Sequence, residues 1–249
     1  MLENYPSPII FAHRGDCSHA PENTLPAFEM AVEKGTDAIE LDVKLSADNQ
    51  AVVIHDQTVD RTTNGTGRVN RLSLEDLRKL DAGSFLDARF AGTRIPTLDE
   101  VFESVGRRVL INVELTNYSS PKDQLIPIVV EIVKRHRLES EIIFSSFLPA
   151  NLVHVRELLP KTPAAILCQG GLLGAISRSS LMIKKSPDLI HPNLNDVNLE
   201  FVNREHRRGR RVHVWTVNKE EDMMRLKEMG VDGLFTDDPL TALKVLGRK

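Results

Sequence analysis

Two carboxylates and an ammonium group occur at every second position of residues 38–45, as Glu40, Asp42 and Lys44. Apolar residues fill the positions between them, so an extended chain would carry the charged groups on one face and the apolar groups on the other. If the apolar face is buried, the carboxylates need a cation or basic side chains to compensate their charge. We favour a divalent cation held by carboxylate oxygens over a network of ion pairs alone.

A histidine is predicted to approach the same carboxylates from the next apolar run, residues 51–56. Residues 46–50, between the two runs, have the composition of a turn, so the runs should pair as an antiparallel hairpin. A hairpin that turns about Asp48 places His55 opposite approximately residue 41. The two runs therefore predict a metal site with a proton donor or acceptor beside it.

The elements that would position these residues alternate between strand and helix patterns along most of the chain. Strands are predicted at residues 9–12, 38–45, 109–115, 142–145, 164–167, 189–191, 212–217 and 233–236. The first helix begins at Asn23 or Thr24 and stops at Gly35. Further helices are predicted at residues 73–80, 98–105, 124–136, 151–159, 199–208, 219–229 and 240–246.

This alternation amounts to about eight β/α units, the number that closes a TIM (β/α)8 barrel. A doubly wound open sheet is the alternative, but no glycine-rich dinucleotide motif follows a predicted strand. We therefore predict an α/β fold, with one TIM-barrel domain over residues 1–249. Residues 57–95, after the hairpin at residues 38–56, are predicted to form a small insertion packed at one end of that domain.

In such a barrel, catalytic residues lie at the carboxyl ends of the strands. This rule selects His13 and Arg14 after the first strand, Glu114 near the end of the strand at residues 109–115, and Trp215 in a late strand. Three carboxylates that converge with two histidines suit a hard cation such as Mg²⁺ or Ca²⁺. The alternatives are histidines that satisfy local hydrogen bonds, a glutamate that only pairs with a lysine, and a core tryptophan.

The composition is that of an ordinary globular protein and excludes some partners. The chain has 249 residues, 41% of them hydrophobic and 27% charged, and its formal net charge is −3, which gives no basic field for nucleic acid. No signal peptide is visible, and no apolar run reaches the roughly 18 residues that a membrane span needs. We expect a cytoplasmic protein that binds a small molecule, without a nucleic-acid partner or a membrane span.

A set of short motifs, in order along nearly the whole chain, resembles the glycerophosphodiester phosphodiesterase family. The insertion, with its Thr58-Val59-Asp60-Arg61-Thr62-Thr63 segment, is also similar to an insertion of that family. Each motif alone is weak, whereas the ordered set is specific. The motifs are His13-Arg14-Gly15, Pro21-Glu22-Asn23-Thr24, Glu40-x-Asp42, His55-Asp56, Asn112-Val113-Glu114, Trp215-Thr216-Val217-Asn218 and Thr236-Asp237-Asp238-Pro239.

The resemblance implies a TIM barrel that hydrolyses glycerophosphodiesters to glycerol 3-phosphate and an alcohol, using a divalent cation. By the same similarity, His13 and His55 correspond to the general acid and base, in either order. Water and the glycerol 2-hydroxyl are both compatible with these residues as the nucleophile. The residues that correspond to the metal ligands are Glu40, Asp42 and Glu114.

The resemblance also bears on substrate binding, where this chain departs from the family. Arg14 matches a phosphate-contacting position. The family usually has a lysine two residues after the third acidic ligand, and this chain has Thr116 there. We hypothesise that Lys44 supplies part of the missing positive charge, which would make it a substrate-binding residue together with Arg14 and Trp215.

Two other functions compete with hydrolysis of small glycerophosphodiesters. A lysophospholipase D would need an apolar groove at the barrel mouth, for which Leu148, Leu172 and Leu173 are candidates. A binding protein that has kept the barrel and lost the chemistry is the other alternative. Thr116 is the one departure that favours it, whereas the three acids and two histidines argue against it.

Overall fold

A computed structural model describes residues 2–169, 171, 174 and 188–248, and within these residues eight parallel strands close into a barrel. The barrel closes because β1 pairs in parallel both with β2 and with the last strand, β9. The predicted TIM barrel is thus confirmed. The strands are β1 Ile9–Ala12, β2 Ala38–Leu45, β3 Ala51–Val53, β4 Leu110–Leu115, β5 Ile142–Ser146, β6 Ala164–Cys168, β7 Leu189–Pro192, β8 Arg211–Val214 and β9 Gly233–Thr236; β3 lies outside the parallel set.

In the described part of the chain, helices cross the outside of the barrel between most of the parallel strands. Two of them begin with a side-chain cap: the side chain of Thr97 accepts a hydrogen bond from the N–H of Glu100 in a complete capping box, and the side chain of Ser73 accepts one from the N–H of Asp76. Such caps satisfy N–H groups that have no partner within the helix. The helices are α1 Leu25–Glu33, α2 Leu74–Leu77, α3 Leu98–Val105, α4 Leu125–His136, α5 Pro149–Leu158, α6 Leu199–Arg207, α7 Glu220–Glu228 and α8 Pro239–Val245.

The β2–β3 hairpin has the predicted register. Val43 lies opposite Val53 and Leu45 lies opposite Ala51 in the antiparallel ladder. The N–H of Ile54 then donates to the carbonyl of Asp42 at 3.0 Å, which carries the same pairing one step further. His55 follows directly, so the turn and the alternation together determine where this histidine enters the barrel mouth.

The two faces of β2 are both buried, but for different reasons. Ile39, Leu41 and Val43 are fully buried in the cluster that packs β2 against the outer helices. Glu40 and Asp42 face the lumen and are 3% and 1% exposed. Below them, a second apolar cluster with one or more residues from most strands fills the barrel: Ile9, Phe11, Ala38, Leu110, Ile143, Ala165, Leu189 and Phe235.

One predicted strand is too long. We expected residues 212–217 to be extended throughout, but β8 ends at Val214. Trp215 instead forms an isolated bridge with Asn193, and the N–H of Val217 donates to the carbonyl of Phe235 at 2.8 Å. The apolar alternation continues past Val214 because the side chains remain packed, although the regular ladder has stopped.

The segment at residues 57–95 contains α2 and has a small core of its own. This core joins the segment to the β2–β3 hairpin, because it includes Val52 and Ile54 as well as Val59, Val69, Leu77, Ala82 and Ile95. The description of the chain as one domain with an insertion stays a prediction. Among the described residues, no helix is both long and apolar enough to span a membrane.

Two histidines are buried in the barrel interior without a hydrogen-bond partner in the described part of the chain. His191 on β7 and His213 on β8 are both fully buried, with ring centroids 5.1 Å apart. None of their four ring nitrogens has a partner among the described residues. Burial lowers the pKa of His191 to about 3 and the pKa of His213 well below its usual value. These imidazoles are neutral in the folded protein, because protonation would place a positive charge in the barrel interior.

Substitution of His191 by Leu should therefore make the fold less sensitive to acid. The folded-state pKa of His191 lies below its unfolded value, so its contribution to stability is complete above about pH 6.5 and is lost as the pH falls toward 3. Between pH 7.5 and 5.0 the parent should lose about 2 kcal/mol more unfolding free energy than His191→Leu. Urea unfolding at the two pH values measures this. The exposed His154, replaced by Gln, is the control, and an equal loss in parent and His191→Leu would contradict the burial argument.

Candidate active site

Three carboxylates meet at the carboxyl ends of β2 and β4. In the parallel ladder, Glu40 lies opposite Asn112 and Asp42 lies opposite Glu114, so all four side chains point into the barrel. One carboxylate oxygen from each acid lies within 4.8 Å of the other two. The residues that we predicted as metal ligands are therefore brought together by strand register alone.

The electrostatics of this cluster fit a divalent cation. Burial, Asp42 and Glu114 raise the pKa of Glu40 well above its usual value. Burial and the charge of Asp42 raise the pKa of Glu114 to about 8. Burial also opposes the charge of Asp42, but Arg14 and other nearby donors and positive charges together outweigh burial, and the pKa of Asp42 is lowered. The basic groups thus leave part of the negative charge uncompensated, which is what a cation bound by oxygen ligands would neutralise.

Asn112 adds a side-chain oxygen atom that accepts no hydrogen bond in the described part of the chain. Its side-chain nitrogen donates to Oγ of Ser145 at 2.8 Å. Its Oδ1 atom is buried and has no hydrogen-bond partner among the described residues, and Asn112 lines the cavity beside the acids. A buried carbonyl oxygen without a donor is costly unless a ligand satisfies it. The donor set therefore fits a hard cation on a second, independent ground.

Both predicted histidines face the same cavity, and each is held by a carboxylate. His13 follows β1, and its Nδ1 lies 2.7 Å from Oδ1 of Asp237. His55 follows β3, and its Nδ1 lies 2.6 Å from Oδ1 of Asp56. Because a carboxylate accepts from Nδ1–H, Nε2 is the ring nitrogen that remains for the cavity. Nδ2 of Asn218 donates to Asp237 at 2.6 Å and holds it in turn.

Arg14 is positioned by an unusual backbone turn. Its φ is +58°, and that of Gly15 is +83°. A side chain at Gly15 would meet the backbone of Ala27 at 2.7 Å, so this position requires glycine both for its conformation and for the close approach. The turn directs the N–H of Arg14 to Oε2 of Glu40 at 2.9 Å. The guanidinium donates through Nη1 to Oε1 of Glu22 at 2.8 Å, and Arg14 also lines the cavity.

Lys44, predicted to bind substrate, has its ammonium group turned into the protein. Nζ donates to the carbonyl oxygens of Ile54 at 2.9 Å and His55 at 2.6 Å, and to Oγ1 of Thr116 at 2.8 Å. These three bonds use all the hydrogens of an ammonium, and Lys44 is not among the described residues that line the cavity. Burial lowers its pKa to about 8, against the charge of Asp42. The geometry therefore favours a role in which Lys44 positions its neighbours and adds positive charge, rather than one in which it contacts the substrate.

The cavity between the acids and histidines is small, about 80 Å³, and has one apolar wall. Trp215, the third predicted substrate-binding residue, lies in that wall. Its Nε1 donates to the carbonyl of His191 at 2.7 Å, so the indole offers only apolar surface to the cavity. The remaining wall residues are Phe147, Leu167 and Phe235. Of the groove candidates, Leu148 is half-buried before α5, and Leu172 and Leu173 lie outside the described residues.

Three residues of the site escaped the sequence analysis as functional groups. Asp56 and Asp237 were quoted only as parts of motifs, although an acid next to a histidine is a signal for an orienting pair. Tyr118 carried no signal. Its hydroxyl donates to Oε1 of Glu114 at 2.7 Å and accepts from the N–H of Phe147 at 3.3 Å. It thus orients one of the acids in the way that outer partners orient metal ligands.

Comparisons with known proteins give one consistent result. The family model for the Glycerophosphoryl diester phosphodiesterase family matches residues 13–241. A glycerophosphodiester phosphodiesterase of Caldanaerobacter subterraneus subsp. tengcongensis is 40% identical over 243 residues, which cover 96% of this chain and 97% of the relative. A protein of the same name from Bacillus altitudinis is 35% identical over 241 residues, covering 95% of this chain and 97% of the relative.

The structural comparison agrees with the sequence comparison. A solved phosphodiesterase of Oleispira antarctica, in complex with the product sn-glycerol-3-phosphate, superposes with a TM-score of 0.89. The two sequences are 29% identical, and the match covers 97% of each chain. The likeness therefore extends over the whole barrel and is not confined to its core strands.

Proposed function

The chain belongs to the glycerophosphoryl diester phosphodiesterase family, and from this premise we propose a metal-dependent hydrolysis of small glycerophosphodiesters to glycerol 3-phosphate and an alcohol. The observation that carries the proposal is a cluster of three carboxylates beside one cavity, which is lined by Glu40, Glu114 and two carboxylate-held histidines. The glycerol 3-phosphate bound in the Oleispira antarctica relative supports this product.

Glu40, Asp42 and Glu114 are the residues that would hold the cation, with Oδ1 of Asn112 as a neighbouring oxygen. When bound, a divalent cation supplies positive charge to the phosphoryl oxygens, on which negative charge increases in the transition state. Carboxylate oxygens suit both Mg²⁺ and Ca²⁺. The arginine at the same cavity, Arg14, adds a fixed positive charge that is directed by Glu22.

His13 and His55 would divide the two proton transfers of the reaction. One takes a proton from the attacking hydroxyl, and the other gives a proton to the departing alkoxide. Asp237 and Asp56 fix each ring at Nδ1, so that Nε2 is presented to the substrate. The same arrangement serves attack by water and attack by the glycerol 2-hydroxyl, because each nucleophile must lose one proton. In the second route the alcohol leaves as a cyclic phosphate forms, and water then opens the ring to give glycerol 3-phosphate.

A pair of substrates tests this proposal against its alternatives. Purified protein is incubated with glycerophosphocholine or lysophosphatidylcholine, with added Mg²⁺ or Ca²⁺ and in parallel with EDTA. We expect cleavage of glycerophosphocholine that EDTA abolishes and that either cation restores. Cleavage of the lyso form alone would support the lysophospholipase D alternative. Binding without turnover of either substrate would support the non-catalytic alternative. The cytoplasmic location stays a prediction from the sequence.

Replacing Lys44 by Met should lower kcat/KM by about 10-fold or more, within the range for lost outer partners of a site. Lys44 holds the carbonyls of Ile54 and His55, so the loss should fall mainly on kcat. Steady-state kinetics separates kcat from KM. Lys79→Met is the control, because the side chain of Lys79 is 62% exposed. A Lys44→Met enzyme that is as active as Lys79→Met would remove Lys44 from the site.

A further inference from the structure

One arginine of the insertion bonds to two carboxylates that serve different parts of the site. Arg61 donates through Nε to Oδ2 of Asp56 at 2.7 Å and through Nη2 to Oδ1 of Asp56 at 3.1 Å. The same guanidinium donates through Nη1 to Oε2 of Glu22 at 2.6 Å and through Nη2 to Oε1 of Glu22 at 2.8 Å. Each carboxylate is thus bound through both of its oxygens, the geometry in which arginine is strongest.

One of the two carboxylates is the partner of a proposed catalytic histidine, and the other is the partner of Arg14. Asp56 bonds to Nδ1 of His55 at 2.6 Å. Oε1 of Glu22 also accepts from Nη1 of Arg14 at 2.8 Å. A continuous chain of charge-assisted hydrogen bonds therefore runs from His55 through Asp56, Arg61 and Glu22 to Arg14.

We propose that Arg61 is a positioning residue that fixes His55 and Arg14 relative to each other through Asp56 and Glu22. The insertion thereby becomes part of the catalytic unit. This inference rests on the proposed function, because it assigns His55 and Arg14 to the reaction. Arg61 itself is not among the described residues that line the cavity, and its bonds go to Asp56 and Glu22.

The charges at this point explain why an arginine is needed. Asp56 and Glu22 are both anionic and lie on the two sides of one guanidinium, so without it they would repel each other. The side chain of Glu22 is only 16% exposed and that of Asp56 is 29% exposed, so water screens them incompletely. Hydrogen bonds from Arg61 are the largest cause of the lowered pKa of Asp56. Arg61 itself is 47% exposed, but its four hydrogen bonds to two partly buried carboxylates distinguish this bridge from a single exposed ion pair, which typically contributes little.

A lysine cannot replace this arginine. An ammonium group is a point charge with three donors, and it cannot bond to four carboxylate oxygens in one plane. We therefore expect Arg61→Lys to keep the local charge and still lose the fixed spacing between Asp56 and Glu22. The Arg61→Lys variant therefore shows whether the site needs the geometry of the guanidinium or only its positive charge.

The test compares Arg61→Ala, Arg61→Lys and a matched control, Arg89→Ala. Arg89 belongs to the same insertion and also contacts the β1–α1 loop, through a hydrogen bond to the carbonyl of His19 at 3.0 Å. It is not part of the chain of hydrogen bonds that runs from His55 to Arg14. We expect kcat for glycerophosphocholine to fall about 10–100-fold in both Arg61 variants, with a smaller change in KM, and to stay at the parental value in Arg89→Ala.

Chemical rescue distinguishes positioning from a loss of folding. Millimolar guanidinium chloride should restore part of the kcat of Arg61→Ala, because the free cation can occupy the space between the two carboxylates. It should not raise the kcat of the parent or of Arg89→Ala. A kcat for Arg61→Ala within twofold of the parent, or a loss that only follows the melting temperature and is not rescued, overturns the inference.

Crystal structures of the parent and of Arg61→Ala provide a readout that is independent of turnover. We expect Asp56 to leave Nδ1 of His55 in the variant. An unchanged Asp56 and Glu22 in the variant would contradict the positioning role. An inactive parent would instead overturn the proposed function, and the crystal structures would still decide the role of Arg61.

Discussion

Replacing His13 by Gln should lower kcat by about 10²–10⁴-fold, the range for removal of a general acid or base. The reason lies in the geometry around the ring. Asp237 holds Nδ1 at 2.7 Å, so Nε2 faces the cavity that also contains Glu40. Gln keeps a polar side chain of similar size but cannot exchange a proton near neutral pH. The corresponding change at His55 should have an effect of the same order, because Asp56 holds that ring in the same way.

The control for these substitutions is a histidine with the same kind of partner outside the site. Nε2 of His206 lies 2.8 Å from Oδ2 of Asp232, and its side chain is 38% exposed. His206→Gln should therefore leave kcat unchanged and report any general cost of losing a histidine–carboxylate pair. Initial rates with glycerophosphocholine at saturating cation measure the effect. A kcat for His13→Gln within threefold of the control would exclude His13 from proton transfer.

The double variant shows whether the histidines act together. Groups that serve one reaction as a unit give effects that do not add, because removal of one already abolishes the coupled pathway. The kcat of the His13→Gln, His55→Gln double variant should therefore be close to the kcat of the less active single variant. If the two losses multiplied instead, each histidine would be contributing independently to binding or folding.

Much of this site could be predicted from β2 alone. The alternation of Glu40, Asp42 and Lys44 with apolar residues fixed which face enters the lumen, and the length of the turn fixed where His55 lies. Glu114 followed from the rule that strand ends of a barrel converge. These predictions succeeded because they depend on periodicity and register, which are local properties of the chain.

The parts that the sequence did not reveal depend on side-chain partners that the periodicity of a strand does not determine. Asp237 meets His13 across 224 positions, and although Tyr118 is only four residues from Glu114, it lies in the turn after the strand, where the strand pattern no longer gives the side-chain direction. The direction of Lys44 was also hidden: the pattern placed it on the lumen face, but not against the carbonyl of His55. Periodicity gives the face of a strand, whereas the partner of a long side chain requires the tertiary structure.

The acids of the cluster lead to a prediction in which stability and activity change in opposite directions. Glu114→Gln should lower kcat by about 10³-fold or more. Loss of a ligand weakens the binding of the cation, and a bound cation stabilises the transition state by several kcal/mol. Without a cation, however, the same change should stabilise the fold. The folded-state pKa of Glu114 is raised to about 8, above the unfolded value of about 4.3, so the stability present at low pH is lost as the pH rises toward 8.

Thermal unfolding in EDTA at pH 7.5 measures the second effect. Glutamine resembles the protonated carboxyl, so it should remove a cost of about 4 kcal/mol and raise Tm by about 8–16 °C. Added Mg²⁺ or Ca²⁺ should raise the Tm of the parent, because a ligand that binds only the folded state stabilises it, and should have little effect on Glu114→Gln. Glu103→Gln, at an exposed position on α3, is the control. A Glu114→Gln protein that is less stable than the parent in EDTA would show that basic residues already balance the three carboxylates, and the case for a cation would lose its electrostatic support.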